Sequence, residues 1–137
     1  MSLENKKILL IVGGGISAYK SLDLIRLLIR KKSSVKVILT KSGRKFVTPL
    51  SISSLLKKKV FEEMFEDVNK GSIDHISLSR WADLVLVLPA TANFMSKLSR
   101  GSADDLASTV ALASNKEIFL IPAMNVRMWL HKATQRT

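Results

Sequence analysis

The chain has 137 residues, enough for one domain over residues 1–137 that buries roughly two-thirds of its unfolded surface. It has no cysteine, which excludes a disulfide framework, thiolate zinc sites and a thiol nucleophile, and leads to the expectation of a cytoplasmic location. Its formal net charge of +11 is spread over Lys6-Lys7, Arg30-Lys31-Lys32, Lys57-Lys58-Lys59 and Arg127 to Arg136, with few aromatics to stack bases. This predicts a solvated basic surface that attracts phosphorylated small molecules, rather than a specific nucleic-acid site.

Lys7 to Val12 is a near-continuous apolar run, the pattern of a strand buried on both faces, and too short for a signal or membrane-spanning segment. Gly13-Gly14-Gly15 ends it. From Ser17 to Lys31, Ala18, Leu22, Ile25 and Ile29 recur at helical spacing, with Lys20, Asp23, Arg26 and Arg30 left for the wet side. Val35 to Leu39 predicts a second strand, and Ser42 to Leu56 predicts helical turns around Thr48-Pro49. Lys59 to Phe65 reads as a weak third strand or a short helix. Leu84 to Leu88 predicts a clear strand, Asn93 to Leu98 and Asp104 to Ala113 helices, and Glu117 to Ile121 the last strand. Strands alternating with helices predict an α/β fold: a Rossmann-like, doubly wound parallel sheet in three layers with right-handed crossovers. In such sheets ligands bind at the carboxyl ends of the strands, so each strand exit is a candidate site.

At the first exit, Gly13-Gly14-Gly15-Ile16-Ser17-Ala18 satisfies G-x-G-x-x-G/A, in which glycines let backbone approach a phosphate at a helix start. The competing reading is that the glycines only permit tight strand-to-helix packing. A dinucleotide site needs an acidic ribose ligand after the second strand, yet Thr40-Lys41-Ser42-Gly43-Arg44 stands there, and hydroxyls with cations suit a phosphate better. His75 is either a neutral base near a strand exit or a capping or surface residue held by Asp74, whereas His131 reads as surface. Pro89-Ala90-Thr91-Ala92-Asn93 offers small side chains beside a flat ligand and two hydrogen-bonding groups; its plainer reading is a loop and helix cap. Asp104-Asp105 reads as capping and dipole complement, and no recurring ligand spacing predicts a metal site. The last strand runs into Pro122-Ala-Met-Asn125-Val-Arg-Met128-Trp129, a neutral amide at a strand exit.

The ordered set of glycine turn with Ser17, His75 before Trp81-Ala82-Asp83, Pro89 to Asn93, and the Pro-x-Met-Asn-x-x-Met-Trp motif resembles the flavin-containing cysteine decarboxylases, colinearly from Lys6 to the C-terminus. The resemblance implies FMN bound between protomers of a homotrimer, or of a dodecamer built from trimers. It implies oxidation of the cysteinyl side chain of 4′-phosphopantothenoylcysteine to a thioaldehyde, loss of carbon dioxide, and return of the enethiol to the thiol, a step of coenzyme A biosynthesis. By position, His75 is the implied catalytic base or orienting group. Asn125 is the implied holder of the substrate carboxylate, with Met124 and Asn93 beside the substrate. Gly14, Gly15, Ser17, Thr40, Ser42, Phe46, Pro89, Ala90, Thr91, Ala92 and Ala123 are the implied cofactor contacts.

Members of that family continue past the Met-Trp helix into another strand and a flap with an acid cysteine, whereas eight residues follow Trp129 here and none is cysteine. A C-terminally short domain is therefore expected: a truncated, split or degenerate relative in which turnover stalls at the enethiol, or whose flap or synthetase domain sits on a separate chain. Two other readings stand beside decarboxylation, a non-catalytic FMN-binding subunit and a flavin prenyltransferase-like enzyme. A nucleotide-dependent oxidoreductase ranks below them because Thr40 occupies the acidic position.

Overall fold

The structure, a computed structural model, describes residues 2–62 and 75–137. Its elements are β1 (Lys7–Val12), α1 (Lys20–Arg30), β2 (Ser34–Leu39), α2 (Pro49–Leu56), α3 (His75–Trp81), β3 (Leu84–Ala90), α4 (Ala92–Arg100), α5 (Leu106–Ala113), β4 (Ile118–Pro122), α6 (Val126–Leu130) and α7 (Lys132–Gln135). The described strands form one parallel sheet in the order β2-β1-β3-β4. The chain winds outward from β1 to β2, then restarts on the other side with β3, so the topology reverses between β1 and β3.

The central position of β1 explains its composition. Side chains alternate across a strand, and here both sides meet helices. Ile8, Leu10 and Val12 pack with Ile25 and Leu28 of α1 and Ile52 and Leu56 of α2. On the opposite face, Leu9 and Ile11 pack with Leu78 of α3, Phe94 and Met95 of α4, and Leu106 and Val110 of α5. The result is the three-layer, doubly wound architecture read from the sequence. At the far edge, β4 is covered on one face only, and Phe119 and Ile121 are exposed.

Several boundaries differ from the sequence reading, each for a local reason. Ile16–Tyr19 is a 3-10 turn, and the α-helix proper begins at Lys20. This tighter start brings Ser21 rather than Leu22 beneath Ala18, so the inward row is Ala18, Ser21, Ile25 and Leu28. Leu22 is half-buried and packs against this core, as expected, whereas Ile29 is exposed, which corrects the predicted face at that position. Ser21 tolerates burial because its hydroxyl donates to the Ala18 carbonyl at 2.6 Å. The helix predicted from Asp104 begins at Leu106, since Asp105 serves as its N-cap, and Glu117 precedes the last strand. Of Lys59 to Phe65, Phe61 bridges Ile38 in the parallel sense, and residues 63–65 lie outside the described residues, as does Asp74.

Replacing Ile25, which is fully buried, with Ala should lower the unfolding free energy by about 2–5 kcal/mol in urea denaturation. The same change at exposed Ile29 should stay within about 0.5 kcal/mol. Equal losses would contradict the observed helix face.

Candidate functional site

The loops after β1, β2 and β3 meet backbone to backbone. A Cβ added to Gly13 would lie 2.5 Å from the Pro89 carbonyl oxygen. One on Gly14 would lie 2.4 Å from Cβ of Ser42, and one on Gly43 would lie 2.6 Å from the Val12 carbonyl oxygen. Gly15 is extended, at φ 173°, so proximity rather than strain demands glycine along this turn. The packing reading of the glycine run is therefore present in the structure. The ligand reading rests on the next polar side chain, Ser17, whose Oγ is buried with no hydrogen-bond partner. A buried hydroxyl without a partner is costly, and an anion or ligand oxygen at the turn would satisfy it.

Beside this turn lies a cleft of about 570 Å³ lined by Thr40, Lys41, Ser42, Arg44, Lys97, Asp104 and Asp105. Thr40 Oγ1 accepts the Gly43 N–H at 3.0 Å, which fixes the β2 exit and leaves its hydroxyl proton to donate elsewhere. Arg44 Nε stands 3.1 Å from Glu62 Oε1, an ion pair by distance although not aligned as a hydrogen bond. Phe46 follows this turn with its ring half exposed.

At the β3 exit, Pro89 and Ala90 are buried, and Thr91 is the N-cap of α4, its hydroxyl accepting the Phe94 N–H at 3.1 Å. The plainer cap reading thus holds for Thr91, while Ala92 is half-buried and Asn93 is exposed on the first turn. The Ala123 N–H donates to the Ala90 carbonyl at 3.2 Å and ties the β4 exit to the β3 exit. Asn125 then caps α6: its Oδ1 accepts the Met128 N–H at 2.9 Å, which leaves the amide NH2 as its donor. Met124, with Pro122, Val126 and Trp129, lines an apolar groove of about 360 Å³.

His75 is half-buried as the first residue of α3. Asp83, two residues beyond the helix, accepts the Lys7 N–H at 2.8 Å at the amino end of β1. The helix rises about 1.5 Å per residue, so it carries His75 away from the amino edge of the sheet. Among the described residues, His75, Asn93 and Asn125 make no hydrogen bonds to one another within one protomer.

Lys97 is the cleft residue that sequence reading missed. Its Nζ lies 3.1 Å from Asp104 and 3.2 Å from Asp105, with the side chain 16% exposed. Burial opposes its charge, but hydrogen bonding and attraction from the two carboxylates outweigh burial and raise its pKa. The hydrogen bond from Lys97 in turn lowers the pKa of Asp104. The acidic pair is thus both a cap and a lysine clamp. The sequence signal was a lone Lys seven residues before two acids, which helix periodicity does not join.

The topological reversal between β1 and β3, with hydroxyls, small residues and the unpartnered Ser17 hydroxyl at its mouth, defines an open parallel α/β domain of the class in which ligands bind at the strand exits. The chain belongs to the flavoprotein family, whose sequence profile matches residues 1–137. It is 42% identical over 134 residues to the coenzyme A biosynthesis bifunctional protein CoaBC of Bacillus subtilis, covering 98% of this chain and 33% of that one. Two solved structures are each 30% identical. One, a PPC decarboxylase mutant complexed with pantothenoylaminoethenethiol, gives a TM-score of 0.82 over 97% of this chain and 75% of that one. The other, the FMN-binding protein AtHal3, gives 0.83 over 97% and 74%. The chain spans about a third of the length of the curated relatives it matches. No helix among the described residues is long and apolar enough to cross a membrane, and no cluster of potential metal ligands occurs among them.

Lys97→Met should destabilise the fold by leaving Asp104 and Asp105 unpaired. The raised Lys97 pKa makes its contribution complete below its ordinary value of 10.5 and lost as pH rises through the folded value. The lowered Asp104 pKa makes its contribution present above its ordinary value of 3.8 and lost as pH falls through the folded value. The melting-temperature gap between wild type and variant should therefore be flat through neutral pH and narrow at both extremes. A gap that does not change with pH would refute the clamp.

Proposed function

We propose that this domain binds FMN at the β1–β3 crevice and decarboxylates 4′-phosphopantothenoylcysteine in coenzyme A biosynthesis. The observation that carries the reading is the buried Ser17 hydroxyl, left without a partner at a glycine turn pressed against Ser42 and Pro89. These donors fit a phosphate-bearing cofactor: Ser17 with Gly14 and Gly15 would hold the phosphate end, and Thr40 and Ser42 the ribityl chain. Phe46, Pro89, Ala90, Thr91, Ala92 and Ala123 would border the ring. FMN, when bound, supplies the two-electron oxidation of the cysteinyl side chain to a thioaldehyde, which makes loss of carbon dioxide possible, and later returns the electrons.

The chain's own side chains have separate tasks. In this reading His75 is the base or orienting group for the proton lost on oxidation, a role its imidazole can perform. Asn125 offers its NH2 to the substrate carboxylate because Met128 holds its Oδ1. A neutral donor suits a carboxylate that must depart, since a cation would stabilise the ground state as well. Asn93 and Met124 flank the substrate, and Pro122, Val126 and Trp129 keep water from it.

The reading includes a homotrimer, or a dodecamer of trimers, that completes the site between copies. Exposed Ile16, Leu50, Val126 and Leu130 near the strand exits supply apolar surface for that contact. A flap or synthetase domain is the further partner in this reading. The cysteine-free composition and the biosynthetic relatives support a cytoplasmic location.

The purified protein should be yellow and release FMN on denaturation; a colourless preparation that cannot be reconstituted would overturn the proposal. His75→Asn should abolish carbon dioxide release from substrate while FMN is retained, whereas unchanged release would leave only a binding role. Asn125→Asp keeps the cap to Met128 but turns an anion toward the substrate carboxylate. It should reduce kcat/KM by about 100-fold or more with little change in melting temperature.

A further inference from the structure

We infer that the groove between the carboxyl ends of α1 and α2 docks an acidic protein segment that carries an apolar anchor residue. It lies at the amino end of β2, about 16 Å of strand away from the exit at Thr40, so an occupant leaves the strand exits open. The groove encloses about 280 Å³, with Ile29, Val35, Leu55 and Leu56 as its apolar lining and Lys57 and Lys58 beside them. Ile29, which helix periodicity would have buried, is exposed and forms part of this wall.

Both helices that flank the groove end on lysines in a conformation that favours glycine. After α1, the Lys32 N–H donates to the Ile29 carbonyl and the Ser33 N–H to the Leu28 carbonyl, with Lys32 at φ 65°. After α2, the Lys57 N–H donates to the Ser53 carbonyl, with Lys57 at φ 56°. Glycine or asparagine closes such caps at less backbone cost, so the backbone does not select lysine at either place. A cation complements a helix C-terminus. One suffices at each end, whereas Arg30, Lys31 and Lys32 follow one another at the first and Lys57, Lys58 and Lys59 at the second.

These charges are not offset among the described residues. The groove lining holds no carboxylate, and Lys31, Lys32, Lys57, Lys58 and Lys59 enter no ion pair there. At the same end of the sheet, Asp83 accepts the Lys7 N–H at 2.8 Å. The crowding reaches Lys36, whose pKa is lowered first by burial and then by repulsion from Lys58 and Lys7.

An apolar recess beside unpaired cations matches a segment whose aliphatic or aromatic side chain enters the groove while its carboxylates meet the lysines. A second copy of this chain brings the same net charge of +11 and is repelled. Nucleic acid offers no apolar side chain, and no aromatic residue lines the groove to stack a base. A lipid surface is met by protruding apolar side chains, whereas these line a recess.

The probes are a fluorescein-labelled acidic peptide with two central leucines, its counterpart with alanines there, a labelled single-stranded oligonucleotide and phosphatidylserine vesicles. By fluorescence anisotropy the full chain should bind the leucine peptide about ten-fold or more tightly than the alanine peptide. Ile29→Gln should remove that difference. Lys57→Glu combined with Lys58→Glu should weaken the leucine peptide by about ten-fold or more. Lys57→Gly suits the left-handed backbone, so it should weaken binding with no fall in melting temperature. Equal affinity for the two peptides, affinity that survives the lysine variants, or no binding by wild type would overturn the proposal. Tighter binding of the oligonucleotide or the vesicles, lost in the same variants, would overturn it in favour of that partner. A change of oligomeric state in those variants, read by sedimentation velocity, would instead assign the groove to a second copy.

Discussion

The close approach of three strand exits is the constraint on which the rest of the molecule depends. Gly13 lies under the Pro89 carbonyl, Gly14 against Ser42, and Gly43 under the Val12 carbonyl, at separations that admit no side chain. Backbone this close cannot move without disturbing the strands that feed it, and those strands are the most buried part of the fold. Leu9, Leu10, Ile11 and Val12 are all fully buried, so the end of β1 is gripped from both faces. The exits are consequently a rigid platform, and Ser17, Thr40, Ser42 and Pro89 are positioned by the sheet rather than by flexible loops.

On that platform, helix capping sets the orientation of the polar groups. Thr91, Asp105 and Asn125 each spend an acceptor oxygen on an N–H of the helix that follows. This use settles which groups remain for a ligand. Asn125 is left with a donor and Thr91 with a hydroxyl proton. Asp105 is left with an oxygen that Lys97 takes. The helix starts and the ligand chemistry are thus coupled, because the bond that ends a loop also aims the side chain.

Charge follows the same economy of partners. The net positive charge of the chain says little about the site, since most lysines and arginines lie on the surface. At the cleft the signs are instead arranged in pairs: Lys97 with two aspartates, and Arg44 with Glu62. These pairs hold the side chains in place and reduce repulsion against an incoming anion, with an effect that partial burial strengthens relative to exposed pairs.

The sequence by itself determined the α/β class, the parallel sheet and the strand exits. Continuous apolar runs such as Lys7 to Val12, and helical turns around Thr48-Pro49, are local signals that burial and helix geometry impose directly. It also marked Ser17, Asn125 and Pro89 to Asn93, because glycine turns and strand-exit motifs are contiguous in the chain. On α1 it found Ala18, Leu22 and Ile25 on the core side but missed Ser21, which a 3-10 start moves inside, and misplaced Ile29, which is exposed. Only the tertiary structure could decide that Gly14 needs Ser42 to be near, that Lys97 clamps Asp104 and Asp105, and that Glu62 backs Arg44. Each of these depends on groups brought together by the winding of the sheet, and side-chain periodicity along one element carries no information about what a second element places opposite it.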